Sequence, residues 1–221
     1  RLSIDAVADL HDVLRTKVLR FFFKLWGIRV AVIDKGRKEK QELTSRRAKV
    51  LRPLRSSFER YGEVFVSLGV SFVPNFVSLY DEGVGDEGLY SELTPPKSSG
   101  ERWIGVAPFA KHKGKIYPLD RMEKVVSKLS EESRVKIFLF GSGDREREIL
   151  SLWRERYPGV ISLADKRYGF AVELSLMSRL DVMISMDSAN MHLASLVEVP
   201  VVSVWGATHP VSYTHLRAHE T

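Results

Sequence analysis

Apolar residues recur along this chain in two rhythms, and those rhythms predict its elements. Residues 4–10 alternate apolar and polar and turn fully polar at His11 and Asp12, which predicts a strand ending there. Val13, Leu14, Val18, Leu19, Phe22, Phe23 and Trp26 follow on a helical period, with Gly27 placed to end the helix. Residues 28–33 form a short β-branched apolar run, a second strand. Residues 37–44 are polar and read as a helix start or a mobile loop, and 58–68 as a further helix. The second half keeps a stricter beat. Strands are predicted at 103–109, 135–140, 160–163, 181–186 and 201–205, separated by helices at 118–129, 144–157, 170–179 and 188–197.

These later strands are apolar throughout rather than alternating. Strand–helix alternation with such strands predicts a parallel sheet covered on both faces. Ligands of such sheets bind beyond the carboxyl ends of the strands, which singles out the loops after Phe109, Phe140, Leu163, Met186 and Trp205. Between the halves, residues 81–100 are rich in Gly, Pro, Ser and acid and carry Pro95-Pro96 and Lys97-Ser98-Ser99-Gly100. They read as a linker. The expected organisation is a first domain over 1–94, a linker at 95–101, a second domain over 102–210 and a tail at 211–221. The tail has no apolar period and looks non-native, so it is set apart from the fold. Its His215 and His219, four residues apart, have the spacing of a metal clip and nothing else to support one.

Composition narrows the class. With 44% hydrophobic and 28% charged residues in 221, the chain can build one large core or two small ones. It has no cysteine, which excludes disulfides and thiolate metal sites and fits a reducing compartment. No apolar stretch reaches the roughly 18 residues of a membrane span; the longest candidate, 18–26, is broken by Arg20 and Lys24. Arg1 opens without a signal-peptide pattern, and a start without Met inside a strand-like run implies an upstream segment. The net charge of +6 is uneven: residues 15–60 hold 15 Lys and Arg against 4 Asp and Glu, a local +11. Such a block faces nucleic acid, an anionic lipid surface or a phosphorylated glycolipid, or is a solvated face. Phe21, Phe22, Phe23 and Trp26 fall on the helical face and read as core rather than a base-stacking platform, which argues against nucleic acid.

Three loops carry candidate chemistry. Met186-Asp187-Ser188-Ala189-Asn190-Met191-His192 follows a strand and opens a helix, whose free N–H groups suit a phosphate while Asp187 suits sugar hydroxyls. The bland reading is that Asp187 or Ser188 caps the helix and His192 packs under the sheet. The loop 108–118 brings Lys111, Lys113 and Lys115 together. Lysine there neutralises a diphosphate leaving group, or is merely solvated. Gly141-Ser142-Gly143-Asp144-Arg145-Glu146 lacks the third glycine of a dinucleotide fingerprint, so it is a weak phosphate cradle, with Asp144 either a helix cap or a ribose ligand. In the first half, Asp9, His11 and Asp12 gather polar groups at a strand end and are candidates for proton transfer.

The segments 5–16, 115–118, 138–143, 185–194 and 200–210, in that order, resemble the ADP-heptose:lipopolysaccharide heptosyltransferases, glycosyltransferase family 9. The most specific pieces are Asp187-Ser188 followed by His192, and Trp205-Gly206 followed by Thr208. The resemblance implies an α/β fold of the GT-B type, two Rossmann-like domains with parallel sheets, the first incomplete. It implies transfer of L-glycero-D-manno-heptose from ADP-heptose to the lipopolysaccharide inner core, with inversion. By position, Lys115 and Asp187 take the catalytic roles: Lys115 on the leaving phosphate, Asp187 on the heptose hydroxyls. Lys111, Gly141, Ser142, Asp144, Glu146, Ser188, Ala189 and His192 complete the donor contacts, with Asp144 or Glu146 at the ribose. Arg15 and Arg37 match acceptor-side positions, and the basic block then meets Kdo-lipid A and an anionic membrane surface. Neither metal nor cofactor is expected, nor nucleic acid as partner. The enzyme would be cytoplasmic, peripheral on the inner membrane. The family's general base would lie before Arg1, so this chain is expected to bind ADP-heptose weakly and turn over little. Another GT-B transferase, a sugar-nucleotide epimerase and a non-enzymatic basic α/β module are the competing readings.

Overall fold

The computed structural model describes residues 3–45, 54–73 and 75–206 and resolves them into two compact units, dividing at Asn75 and Phe76. The tail at 211–221, with His215 and His219, lies outside the described residues, as does Thr208 of the closing motif.

In the first unit, β1 (Ala6–Asp9) pairs in parallel with β2 (Arg29–Val32), in the register Ala6 to Arg29 and Asp9 to Val32. The helix α1 (Leu14–Leu25) connects them, making the β-α-β unit that parallel pairing demands. The polar stretch at 37–44 is a helix, α2 (Arg37–Thr44), and α3 (Ser57–Ser67) follows. A reciprocal capping box starts α3: Ser56 Oγ accepts from the Glu59 amide at 3.0 Å and Glu59 accepts from the Ser56 amide at 2.6 Å. Contrary to the core reading, α1 buries none of its residues, and Trp26 is 70% exposed. Among the described residues, the two short strands β1 and β2 present too little apolar area to cover a three-turn helix.

The +11 block is partly neutralised within this unit. Arg20 meets Asp9 and Asp12, both at 3.2 Å, and Arg37 meets Asp12 at 3.2 Å. The Arg20 contact to Asp9 Oδ2 is an ion pair without the alignment of a hydrogen bond. Burial pushes the Asp9 carboxyl up, but the amides of Asp12 and His11, with Thr16 and Arg20, outweigh it and hold Asp9 below the usual carboxylate range. Asp9 therefore ties the strand end and the turn before α1 together rather than standing ready to take a proton.

The second unit is a five-stranded parallel sheet in the order β5-β4-β3-β6-β7: β3 (Arg102–Ala107), β4 (Val135–Leu139), β5 (Val160–Ser162), β6 (Val182–Met186) and β7 (Val201–Val204). Helices α4 (Leu119–Ser130), α5 (Asp144–Arg156), α6 (Phe170–Met177) and α7 (Ala189–Leu196) connect them. Two cores form, one on each face. Ile104, Val106, Met122, Val126, Leu139, Leu150 and Trp153 fill one; Trp103, Phe138, Phe140, Leu176, Met177 and Met183 fill the other. The alternation of Trp103 and Ile104 along β3 sends neighbouring side chains into opposite cores, which is why the strand is apolar at nearly every position.

Residues 76–100 pack with this second unit. Tyr90 is buried edge-on against Trp103, with ring centroids 6.1 Å apart. Tyr80 Oη lies 3.1 Å from Ser175 Oγ, and the Gly85 amide donates to Ser178 Oγ at 2.8 Å. In the stretch expected to be a linker, Lys97 Nζ reaches Arg179 O at 3.0 Å and Asp181 at 2.7 Å. Gly, Pro and Ser here serve tight turns along the sheet's helices instead of mobility.

Candidate active site

The chain leaves β3 towards β4 and β5 on one side, then crosses to β6 and β7 on the other. The loops after β3 and β6 therefore diverge, and a crevice opens beyond the carboxyl ends of the strands. A cleft of about 770 Å³ occupies it. Lys111, Lys115, Gly141, Ser142, Asp144, Glu146, Asp187, Ser188 and Ala189 all line it, so the segments after β3, β4 and β6 deliver nine of the sequence-predicted residues to one place. His192 sits half-buried in α7 and does not line the cleft. Arg15, exposed on α1, and Arg37, on α2, belong to the first unit.

At the centre Lys115 Nζ lies 2.7 Å from Asp187 Oδ2, with the lysine side chain 18% exposed and the aspartate 3%. Lys115 ends a 3₁₀ turn, Lys113–Lys115, closed by the Lys115 amide on His112 O at 2.9 Å. Asp187 follows directly on β6 and is held by the strand's register. Ser188 takes the position before α7 with extended φ and ψ, but its side chain makes no capping bond; its Oγ lies 3.3 Å from Ser185 Oγ. The reading of Ser188 as a mere helix cap is thereby removed.

The glycine-rich loop differs in detail from expectation. Gly143, at φ +84° and ψ 163°, precedes α5, and Asp144 is the first helical residue, not the cap. A side chain at Gly143 would be strained at that φ. Glu146 turns back to accept from the Ser142 amide at 2.8 Å, and Asp144 pairs with Arg147 at 3.1 Å. Both acids thus shape the loop that a ligand would meet.

Sequence reasoning missed Lys166, Arg167, Phe170 and Glu173, which also line the cleft, as does Asn190 of the 186–192 segment. The loop after Leu163 was legible as a ligand-facing position, but its residues carry no motif spacing. Burial pushes the Glu173 carboxyl above the usual carboxylate range. No group of three His, Cys, Asp or Glu among the described residues is arranged to hold a metal ion.

Gly206 supports the lysine turn from beneath. A Cβ there would stand 2.4 Å from Gly114 O and 3.6 Å from Lys115 Cα. Because the obstacle is backbone, Gly206→Ala is expected to displace the turn at a cost of about 1–3 kcal/mol and to weaken ADP binding with it. Urea melts and nucleotide titration of the variant check both; unchanged values in each would show that the turn yields freely.

Comparison with known proteins agrees with this geometry. A family model described as glycosyltransferase family 9 (heptosyltransferase) matches residues 6–221. Among curated proteins, none matches the chain by sequence. Among solved structures, the E. coli heptosyltransferase WaaC with ADP is similar at a TM-score of 0.63 and 17% identity, over 93% of this chain and 63% of that one. The E. coli ADP-heptose lps heptosyltransferase II is similar at 0.62 and 20%, over 97% and 66%. A family 9 glycosyl transferase of Veillonella parvula is similar at 0.69 and 20%, over 97% and 61%. The chain thus spans less than two thirds of the length of each of these. At such identities the likeness establishes the fold, the α/β parallel-sheet fold expected for a GT-B enzyme. With the family match running along almost all of its length, the chain belongs to glycosyltransferase family 9, the heptosyltransferases.

Proposed function

We propose that the second unit binds ADP-heptose, and that the protein transfers L-glycero-D-manno-heptose to the lipopolysaccharide inner core with inversion. The observation that carries this reading is the Lys115–Asp187 pair at the crevice where the strand order reverses, beside the start of α7. A diphosphate there meets the first amides of α7 after Ser188 and the ammonium of Lys115. Asp187 accepts from the sugar hydroxyls. As the acceptor hydroxyl attacks the anomeric carbon from the opposite face, the bond to ADP breaks, and Lys115 with the helix start takes up the charge on the leaving diphosphate. No metal or cofactor is invoked. The solved relatives include WaaC with ADP and with ADP-2-deoxy-2-fluoro heptose, which supports the donor assignment.

For the acceptor, Arg15 and Arg37 offer basic groups to Kdo carboxylates and lipid A phosphates, and the exposed Lys17, Lys24 and Arg29 suit an anionic membrane surface. No helix among the described residues is long and apolar enough to cross a membrane, so the association proposed is peripheral, at the cytoplasmic face. A different GT-B transferase or a sugar-nucleotide epimerase would share the fold and differ in nucleotide.

Calorimetric titration with ADP, ADP-heptose and UDP-N-acetylglucosamine, alongside Asp187→Ala, tests the donor reading. ADP is expected to bind, and ADP-heptose to bind more tightly. Asp187→Ala should lose only the heptose increment, roughly 10-fold for hydrogen bonds to a charged acceptor, while leaving ADP as tight or tighter because Lys115 is released to the phosphate. Tighter binding of the UDP-sugar would reject the assignment.

A further inference from the structure

The carboxylates lining the cleft divide into two kinds. Asp187 is paired with Lys115, Asp144 with Arg147, and Glu146 with the Ser142 amide. Glu173 is different. It lies half-buried in the first turn of α6, faces the cleft, and has no hydrogen bond or ion pair to any described residue. A carboxylate taken partly out of water without a donor is held at a cost, and a ligand donor would relieve it. Three residues earlier on the same helix stands Phe170, also in the cleft wall and 68% exposed. Residues three apart share one helix face. An exposed ring and an unsatisfied carboxylate on one face make a surface for a flat ligand bearing an edge donor.

Position indicates which part of the ligand arrives there. Lys115 and Asp187 come from the loops after β3 and β6, at the reversal point. The helix α6 follows β5, the sheet's outer strand on the far side of β4. A nucleotide with its diphosphate over β3 and β6 extends its base toward the β4 and β5 loops, where Phe140, Leu163 and Ala164 add apolar lining. Resting on the nucleotide-sugar reading of this cleft, we infer that Phe170 and Glu173 form its base-reading subsite. The Phe170 ring stacks on the base, and the Glu173 carboxylate accepts from an exocyclic amine. A 6-amino purine satisfies the carboxylate, whereas a 6-oxo purine sets a carbonyl oxygen against it. Glu173 is then a specificity-determining residue: its task is to reject bases that present oxygen at that edge.

Inosine diphosphate replaces the 6-amino group of ADP by oxygen and puts a proton on N1, and purine riboside diphosphate removes the amino group without that N1 proton; both leave the ribose and phosphates alone, and both are expected to bind more weakly than ADP. The full chain is expected to bind ADP about 10- to 100-fold more tightly than inosine diphosphate, the range for a hydrogen bond to a charged group. In Glu173→Ala the two affinities converge, mainly by loss of ADP binding. Glu173→Gln, which keeps an acceptor oxygen without the charge, falls between. Both variants should melt no lower than the parent, since they remove an unpaired, half-buried carboxylate. An ADP preference unchanged in Glu173→Ala, with Lys115→Ala still weakening ADP, would overturn the base-reading role and leave the donor site standing. If neither nucleotide binds the folded chain, the donor reading and this inference fall together.

Discussion

Lys115→Ala is expected to weaken ADP binding roughly 10- to 100-fold, and to lower kcat of heptose transfer by about 10²-fold, the loss of one transition-state charge contact. Two effects add at this position. The ammonium is the cation of the cleft fixed against Asp187 at 2.7 Å, and a diphosphate arriving at α7 meets a charge already in place. Removing it also deprives a carboxylate only 3% exposed of a charged partner, which penalises the folded state in the absence of ligand. The double variant Lys115→Ala with Asp187→Asn separates the two. Neutralising Asp187 should restore the melting temperature without restoring ADP affinity. Lys115→Arg keeps the charge but changes its reach, and its rate reports how closely the ammonium must sit. Full ADP affinity in Lys115→Ala, in a protein that melts like the parent, would remove Lys115 from the donor site.

The residues that make this site were unevenly legible in the sequence. The β-α rhythm of the second half placed the strand ends, and with them the loops of Lys115, Gly141 and Asp187, because an unbroken apolar strand bounded by polar residues has few alternatives. Pairing of Lys115 with Asp187, 72 positions further along the chain, was not legible, since it depends on β3 and β6 being neighbours in the sheet. Glu173 escaped notice for a different reason. It is the one charged residue in the otherwise largely apolar helix α6, a signal that periodicity and motif spacing do not pick out. The segment 81–100 was misread because the Gly and Pro that make flexible linkers also make turns that lie tightly on a surface. The aromatic face of α1 was read as core on periodicity alone, and periodicity reports a face without reporting what covers it. Among the described residues that face is open, with Trp26 70% exposed.

The basic block of the first unit conceals one residue whose charge works inside the fold, and Arg60→Ala is expected to destabilise that unit by about 3 kcal/mol. The Arg60 side chain is only 3% exposed. Its Nε donates to Arg55 O at 3.2 Å, its Nη1 to Asp34 O at 3.1 Å, and its Nη2 to Glu39. One guanidinium therefore joins α3 to the segment before it, to the residues just after β2 and to α2. Gly36 makes room for it: a Cβ there would lie 2.3 Å from Nη2, and the backbone at φ +58° is one that glycine adopts without strain. Alanine at 60 removes the Arg60 donor from two backbone carbonyls, leaves Glu39 with Arg55 as its remaining guanidinium, and opens a void the length of an arginine stem. Hydrogen exchange is the direct measurement. Amides of α3 and β2 should lose protection by roughly 10²-fold, the equivalent of that free energy, while those of β3 and β4 in the second unit stay unchanged. Arg60→Lys cannot serve three acceptors in a planar fork and should recover only part of the loss. Equal protection of α3 in parent and Arg60→Ala would mean that the capping box at Ser56 and Glu59, rather than the buried arginine, holds the helix in place.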